Sequence, residues 1–308
     1  MHGDKRMRTA PSIVGLILNF RDAARTLESV RSLLADGVHH ILVWDNSEDG
    51  GHSATALRDA LADDTRVSIE LSAANLGFAA GVNRGIGRIL ALDPDAWILL
   101  INNDARLMPG ALPELRDALL RSPVASIAYP VVAQNGRISG TVYYQRWFGL
   151  LSRRPLPGSD AHASGCCMLI DPARTGPAVF DEDFFMYGED AELGCRLGCR
   201  PGTLLHVPLA RVEHEGSATG RIGSSFYEER MVAAHLILAR KLARSGTGRV
   251  GLLLGRAIAL PARALVRTVR QRSLVPLRAL IGGWKLAHGH DPLLDKARHY
   301  AASPTRQR

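Results

Sequence analysis

The chain has 308 residues, and 46% of them are hydrophobic, which is enough to bury the core of one large domain or two smaller ones. The formal net charge of +8 is unevenly distributed. Residues 239–308 contain 15 Lys or Arg and two acidic residues, so this tail carries +13 and residues 1–238 carry −5. The asymmetry predicts an anionic partner for the tail, either a membrane surface or a nucleic acid.

Two classes of protein are not indicated. Residues 1–10 are basic, but no apolar segment follows them, so no secretory signal is expected. The apolar stretches of the tail are interrupted by Arg256, Pro261 and Arg263, and they fall short of the roughly 20 residues that span a bilayer. The four cysteines show no extracellular spacing pattern, so we expect reduced, packed thiols in a cytoplasmic protein.

The first hundred residues alternate between apolar strands and amphipathic helices. In order, they predict a strand at 12–18, a helix at 23–34, a strand at 40–44, a helix from 53, a strand at 67–71, a helix at 79–92 and a strand at 97–101. This alternation is typical of βαβ units and a parallel sheet. The predicted fold class is α/β, with a central, mostly parallel sheet flanked by helices.

A polar group follows each of these strands. The groups are Asn19, Asp45-Asn46-Ser47, Asn75-Leu76-Gly77 and Asn102-Asn103-Asp104. Parallel strands end at one edge of a sheet, and ligands bind beyond that edge, so these groups form a candidate site. Two local alternatives remain open: Asp104 and its neighbours could cap a helix near Pro109, and Asp45 could only form a turn.

The second half contains shorter runs. Strands are predicted at 125–132, 138–144, 165–170 and 203–207, a surface loop at 152–158 and another loop at 211–217. A helix opens at Gly188-Glu189-Asp190, where the acids could serve as a general base or complement the helix N-terminus. From about Ser225 the chain is predicted to be helical, with breaks near Gly246, Pro261, Pro276 and Gly282-Gly283.

Together these motifs resemble those of the family 2 glycosyltransferases with a GT-A fold, particularly the bacterial rhamnosyltransferase-like members. The resemblance covers roughly residues 12–235. It rests on Asn19-Phe20, Val43-Trp44-Asp45-Asn46-Ser47, Asn75-Leu76-Gly77-Phe78, Asn102-Asn103-Asp104, Gly188-Glu189-Asp190 and His214. It implies a GT-A domain over residues 1–238, followed by a basic, amphipathic helical extension over 239–308.

The resemblance also implies a donor site. Asp104 and His214 would hold Mg²⁺ or Mn²⁺, which stabilises the charge that develops on a diphosphate leaving group. Asp45 would accept a hydrogen bond from the N3–H group of uracil or thymine, which implies a dTDP-sugar or UDP-sugar donor. The other residues implied to bind the nucleotide sugar are Asn19, Asn75, Gly77, Asn102 and Asn103.

The chain departs from the family's familiar Asp-x-Asp motif because position 102 is Asn. One carboxylate therefore remains, although Asn-Asn-Asp resembles the form found in the rhamnosyltransferase-like branch. On the acceptor side, the resemblance implies that Asp190 is the general base, with Glu189 binding the acceptor or orienting the loop.

The resemblance implies an inverting enzyme that moves rhamnose or another hexose to a cell-surface glycan or a lipid-linked precursor. Asn102 keeps open a contrasting hypothesis, a non-catalytic subunit that binds a nucleotide or glycan. A homodimer is compatible with either.

The tail interleaves its arginines with apolar residues. This pattern predicts a protein bound peripherally to the inner face of the cell membrane, or a solvated Arg-rich face on a helix that packs on the body. Aromatic residues are scarce in the tail, so nucleic acid is not expected as a partner.

Overall fold

The structure is a computed structural model that describes residues 11–62, 64–216 and 222–302. Residues 1–10 and Ser217, the last residue of a predicted loop, lie outside this part of the chain. The strands are β1 Ile13–Asn19, β2 His40–Asp45, β3 Val67–Leu71, β4 Trp97–Asn102, β5 Ala105–Leu107, β6 Ile127–Gln134, β7 Arg137–Ser139, β8 Val142–Gln145, β9 Leu150–Ser152, β10 Ser159–His162, β11 Cys167–Ile170 and β12 Leu204–His214. The helices are α1 Ala23–Ala35, α2 His52–Ala60, α3 Gly77–Leu92, α4 Ala111–Arg121, α5 Pro172–Thr175, α6 Glu189–Leu197, α7 Ser225–Lys241, α8 Gly246–Gln271, α9 Val275–Ala287 and α10 Pro292–Ala302.

A nine-stranded sheet forms the centre of the described residues, in the order β3-β2-β1-β4-β11-β6-β12-β5, with β7 paired to β6. Strands β3, β2, β1 and β4 are parallel, while β11 runs antiparallel to both β4 and β6. Strand β12 is parallel to β6, and β5 is antiparallel to β12. The predicted mostly parallel sheet is therefore confirmed, and β8, β9 and β10 form a separate antiparallel sheet.

Strand β4 shows why this sequence forms a buried central strand. Leu99 and Ile101 belong to the hydrophobic cluster on one face of the sheet, and Ile98 and Leu100 to the cluster on the other. All four are fully buried, and each such side chain contributes about 1.5–3 kcal/mol through the hydrophobic effect. A strand covered on both faces needs a continuous apolar run, which this sequence supplies.

Two elements at the carboxyl edge differ from the sequence-based expectation. The sequence predicts a loop at residues 211–217, but residues 211–214 continue β12 after an irregularity between Val207 and Arg211. Residues 212–214 pair with β5, a short strand that the sequence did not indicate, and this pairing sets His214 opposite Ala105. The capping alternative for Asp104 is wrong, because Gly110 is the N-cap of α4.

Two expected helix breaks are also absent from the described tail. Pro261 lies inside α8, and Gly282 and Gly283 lie inside α9. The glycines serve close packing of α9 on α7, since a Cβ added at Gly283 would lie 2.5 Å from the Cβ of Val232. These glycines therefore do not end the helix. They allow α9 to approach α7 closely.

The C-terminal helices pack on the rest of the protein. The predicted domain boundary at residue 238 falls inside α7. The fully buried Arg256 of α8 donates hydrogen bonds to the carbonyl oxygens of His235 (3.1 Å) and Trp147 (2.7 Å). At the other end of the tail, Lys296 of α10 forms an ion pair with Glu48. No helix in the described ranges is long and apolar enough to cross a membrane.

Candidate active site

The end of β2 places a carboxylate in a buried hydrogen-bond network. Asp45 is fully buried, and its Oδ1 accepts hydrogen bonds from Asn19 Nδ2 (2.8 Å) and from the Ser47 hydroxyl. The Asn19 side-chain oxygen in turn accepts from the Thr26 hydroxyl (2.7 Å). Asp45 Oδ2 has no hydrogen-bond partner among the described residues. A buried carboxylate oxygen left unpaired is costly, so a ligand that brings a donor to it would be stabilised.

The loop after β3 is held by side chains from the loop after β2. Asn46 Nδ2 donates to Asn75 Oδ1 and to the Gly77 carbonyl, each at 3.0 Å. Gly77 has φ +77°, and a Cβ there would lie 2.3 Å from the Phe185 carbonyl oxygen. A side chain at position 77 would therefore collide with the chain segment before α6, so this position requires glycine. The expected contact of Gly77 with a nucleotide stays a prediction.

The two predicted metal ligands lie in contact. His214 Nε2 is 3.1 Å from Asp104 Oδ1, and their side chains are 15% and 7% exposed. An octahedral ion with bonds of about 2.1 Å has adjacent ligands about 3.0 Å apart, so these two atoms could share one ion. Imidazole and carboxylate also fit the donor preferences of Mn²⁺. No group of three or more His, Cys, Asp or Glu suited to a metal occurs in the described residues.

A third residue, Gln134 of β6, contacts the imidazole. Its Nε2 lies 3.3 Å from His214 Nδ1. If His214 binds a metal through Nε2, the proton moves to Nδ1, and the Gln134 amide must turn so that its oxygen accepts. The sequence carries no local signal for this contact, because the two residues are 80 positions apart.

The two asparagines before Asp104 have different surroundings. The Asn102 side-chain oxygen is buried without a hydrogen-bond partner among the described residues. Asn103 is buried and its Nδ2 donates to the Thr26 hydroxyl at 3.3 Å. Asn102 is thus able to receive a ligand hydroxyl or a metal-bound water, whereas Asn103 ties the loop to α1.

The start of α6 carries two carboxyl groups in unlike environments. Glu189 is 7% exposed, and burial, with the nearby charge of Asp190, raises its pKa to about 8. The Asp190 side chain is 26% exposed, and its Oδ2 accepts from the Gly165 backbone N–H (3.3 Å) and lies 3.9 Å from His162 Nδ1. The surroundings of Glu189 therefore favour its protonated form, while Asp190 is within reach of solvent.

Tyr187, just before α6, lies near enough to Glu189 and Asp104 for their charges to affect its pKa. Burial raises the pKa of its hydroxyl, and the charges of Tyr227, Glu189 and Asp104 add to the effect. Tyr187 also has φ +70°, a backbone conformation that is uncommon for a large side chain. Such strain is frequent at functional sites, and the sequence carries no local signal for it at Tyr187.

Comparison with known proteins identifies the family. The sequence profile described as "Glycosyl transferase family 2" matches residues 20–173. The chain belongs to glycosyl transferase family 2. This glycosyltransferase is 28% identical, over 280 residues, to the N-acetylglucosaminyl-diphospho-decaprenol L-rhamnosyltransferases of two Mycobacterium tuberculosis strains. The match covers 79% of this chain and 88% of theirs, so the protein is a rhamnosyltransferase-like member.

Solved structures confirm the GT-A fold of the glycosyltransferase. GalNAc-T7, crystallised with UDP, GalNAc and Mn²⁺, matches 86% of this chain with a TM-score of 0.55 and 11% identity, and the match spans 59% of that protein. The Pyrobaculum calidifontis mannosyltransferase PcManGT, in complex with GDP-Man and Mn²⁺, matches 96% of this chain and 85% of its own, with a TM-score of 0.54 and 15% identity. Residues 1–349 of S. aureus TarS match 94% of this chain and 87% of theirs, with a TM-score of 0.54 and 10% identity.

Proposed function

We propose that this glycosyltransferase is an inverting, metal-dependent enzyme that transfers rhamnose or another hexose from a dTDP-sugar or UDP-sugar to a lipid-linked glycan precursor. The observation that carries the proposal is the contact of Asp104 with His214 at the carboxyl edge of the sheet, where Asp45 also lies. The name of the mycobacterial relatives supports rhamnose as the sugar and a diphospho-lipid as the acceptor carrier.

On the donor side, Asp104 and His214 would hold Mg²⁺ or Mn²⁺. The ion would supply Lewis-acid stabilisation of the diphosphate as it leaves. Asp45 Oδ2 would accept the N3–H of uracil or thymine, and cytosine, which lacks that hydrogen, would be disfavoured. Because Asp45 is fully buried, a residue that covers it must move when the base binds.

On the acceptor side, we assign Asp190 as the general base. An acceptor hydroxyl attacks the anomeric carbon opposite the diphosphate, so one C–O bond forms as the other breaks, and the proton passes to the Asp190 carboxylate. Its greater exposure supports this choice over Glu189. Glu189 would bind the acceptor or hold the loop in place. Since the chain is a glycosyltransferase, we set aside the non-catalytic alternative.

The test measures binding of sugar nucleotides by thermal shift, with and without Mn²⁺, and transfer by product formation. A ligand that binds the native state raises the melting temperature. In the parent protein, we expect Mn²⁺ to increase the shift caused by a dTDP-sugar or UDP-sugar. Asp104→Asn should lose this increase together with transfer.

Asp171→Asn is the matched control. Asp171 is an equally buried carboxylate that follows β11, an antiparallel strand that ends at the opposite edge of the sheet. This variant should melt at a lower temperature, because it loses an ion pair with Arg174, but it should keep the effect of Mn²⁺. A metal effect that survives Asp104→Asn unchanged would show that the metal assignment is wrong.

A further inference from the structure

The outward face of α8 is apolar along its whole length. Six large aliphatic side chains on this helix are at least half exposed. Residues three or four apart lie on one side of a helix, and the spacing of these six places them on a single face. We call this face the α8 stripe, and its members are Val250, Leu254, Ile258, Leu265, Val266 and Val269.

Three arginines in the middle of α8 lie on the opposite side, against the protein. Arg256 is fully buried, Arg263 contacts His235 Nε2 at 2.7 Å, and Arg267 forms an ion pair with Glu228 of α7. A surface helix of a soluble protein normally turns its apolar side to the core and its charges to water. Along the middle of α8 the arrangement is reversed, because aliphatic side chains face water there while Arg256, Arg263 and Arg267 face the protein.

The apolar surface continues beyond α8. The turn after β8 carries Trp147 and Phe148, both about half exposed. This turn packs directly on the helix, since a Cβ at Gly251 would lie 3.2 Å from the Trp147 ring and one at Gly255 would lie 2.0 Å from the Trp147 carbonyl oxygen. Contiguous exposed apolar surface of this kind marks an interaction site.

Exposed cations stand at both ends of the α8 stripe. Arg244 and Arg249 lie at the start of the helix, and Arg270 and Arg272 lie at its end. All four are exposed, and none forms an ion pair with a carboxylate of the described chain. The surface that covers α8 must therefore offer an apolar layer for the stripe and negative charge for these arginines.

We propose that the α8 stripe docks this protein onto an anionic lipid bilayer. The helix has 26 residues, which corresponds to about 39 Å, and it would lie along the interface with its apolar face among the acyl chains and its terminal arginines among the headgroups. A second copy of the chain would bring like charges together, and a nucleic acid offers no apolar layer. The proposal goes beyond the proposed function, because docking requires neither donor, metal nor acceptor. The inner face of the membrane stays a prediction.

The test compares flotation of the full-length protein with vesicles of phosphatidylcholine and with vesicles that also contain phosphatidylglycerol. The parent should float with the anionic vesicles, and high salt should weaken the binding because it screens the arginines. The double substitution Leu254→Glu with Ile258→Glu should reduce binding by about a hundredfold or more, since full burial of each aliphatic side chain accounts for roughly tenfold. Arg270→Gln should reduce it about fivefold, and only on anionic vesicles.

The matched control is Leu92→Glu at the end of α3, another exposed aliphatic residue outside the α8 stripe. It should bind vesicles like the parent. All these positions are exposed, so melting temperatures should stay near that of the parent, and Ile258→Ser provides a milder variant. The proposal is overturned if the parent does not float, or if the double variant floats equally well. It is also overturned if ultracentrifugation shows a dimer that the double variant dissociates while no form binds vesicles.

Discussion

Replacing Glu189 by Gln should stabilise the protein at neutral pH, although the residue lies in the candidate active site. An acid at a helix N-terminus is ordinarily favoured by about 0.3–1 kcal/mol through the helix dipole. Here burial and the charge of Asp190 outweigh that gain and raise the pKa of Glu189 from 4.5 to about 8. The folded protein thus holds a proton that the unfolded chain releases near pH 4.5.

The pH dependence follows from proton linkage. Between pH 4.5 and pH 8 the unfolded state binds fewer protons at this residue, so its contribution to the free energy of unfolding falls as pH rises. Each pKa unit corresponds to about 1.4 kcal/mol, and pKa values of 4.5 and about 8 give a change of about 3.5 kcal/mol between pH 5 and pH 8 as the upper limit. Glu189→Gln removes the titration, so its stability relative to the parent should increase from pH 5 to pH 8 by up to this amount.

Urea unfolding of both proteins at several pH values measures the difference. Glu192→Gln is the matched control, because Glu192 lies in the same helix with the same burial but forms an ion pair with Arg196 at 2.9 Å. Removing that charge should destabilise the protein at neutral pH. A Glu189→Gln variant whose stability relative to the parent is constant from pH 5 to pH 8 would refute the reasoning, since the carboxyl would then be ionised in the folded state.

Three further substitutions test the site. Asp190→Asn should lower turnover by about 100- to 10,000-fold, because it removes the proton acceptor. Calorimetry should show unchanged donor affinity. A matching loss of donor affinity would contradict the role of Asp190 as the base. Asp45→Asn should weaken dTDP and UDP binding by roughly ten- to a hundredfold, since a hydrogen bond to a charged group contributes about 1.5–3 kcal/mol, and should spare CDP. Equal affinities for all three nucleotides before and after the change would exclude base recognition by Asp45. Gly77→Ala should destabilise the protein by at least about 1 kcal/mol in urea unfolding, because Gly77 has φ +77° and an added Cβ would meet the Phe185 carbonyl. A urea unfolding curve like that of the parent would contradict this packing.

The sequence by itself determined the local elements of the donor half. The predicted bounds of β1 to β4 agree with the structure within one or two residues, because a strand buried on both faces needs a continuous apolar run and the polar groups after it mark its end. Because parallel strands end at one edge of a sheet, the same pattern predicted Asp45 and Asp104 at that edge, where the structure has them. These features depend on neighbours in the chain, so a pattern of a few residues suffices.

Contacts between distant segments were decided only by the tertiary structure. His214 meets Asp104 because β12 continues past its bulge and pairs with β5, which joins residues 110 positions apart. The difference in burial between Glu189 and Asp190 likewise depends on the segments that pack around α6. Neither strand pairing nor burial of one acid of a pair leaves a local signal in the sequence.

Helix α8 shows most clearly which features the sequence determines and which the tertiary structure decides. The spacing of its residues determines that aliphatic side chains occupy one face and arginines another. Which face meets the protein depends on acceptors for Arg256, and these come from His235, Trp147 and Tyr144 in other segments of the chain. A buried guanidinium is stable only where such acceptors satisfy its donors, so the tertiary structure decided that Arg256 faces the protein and that the apolar face stays outside.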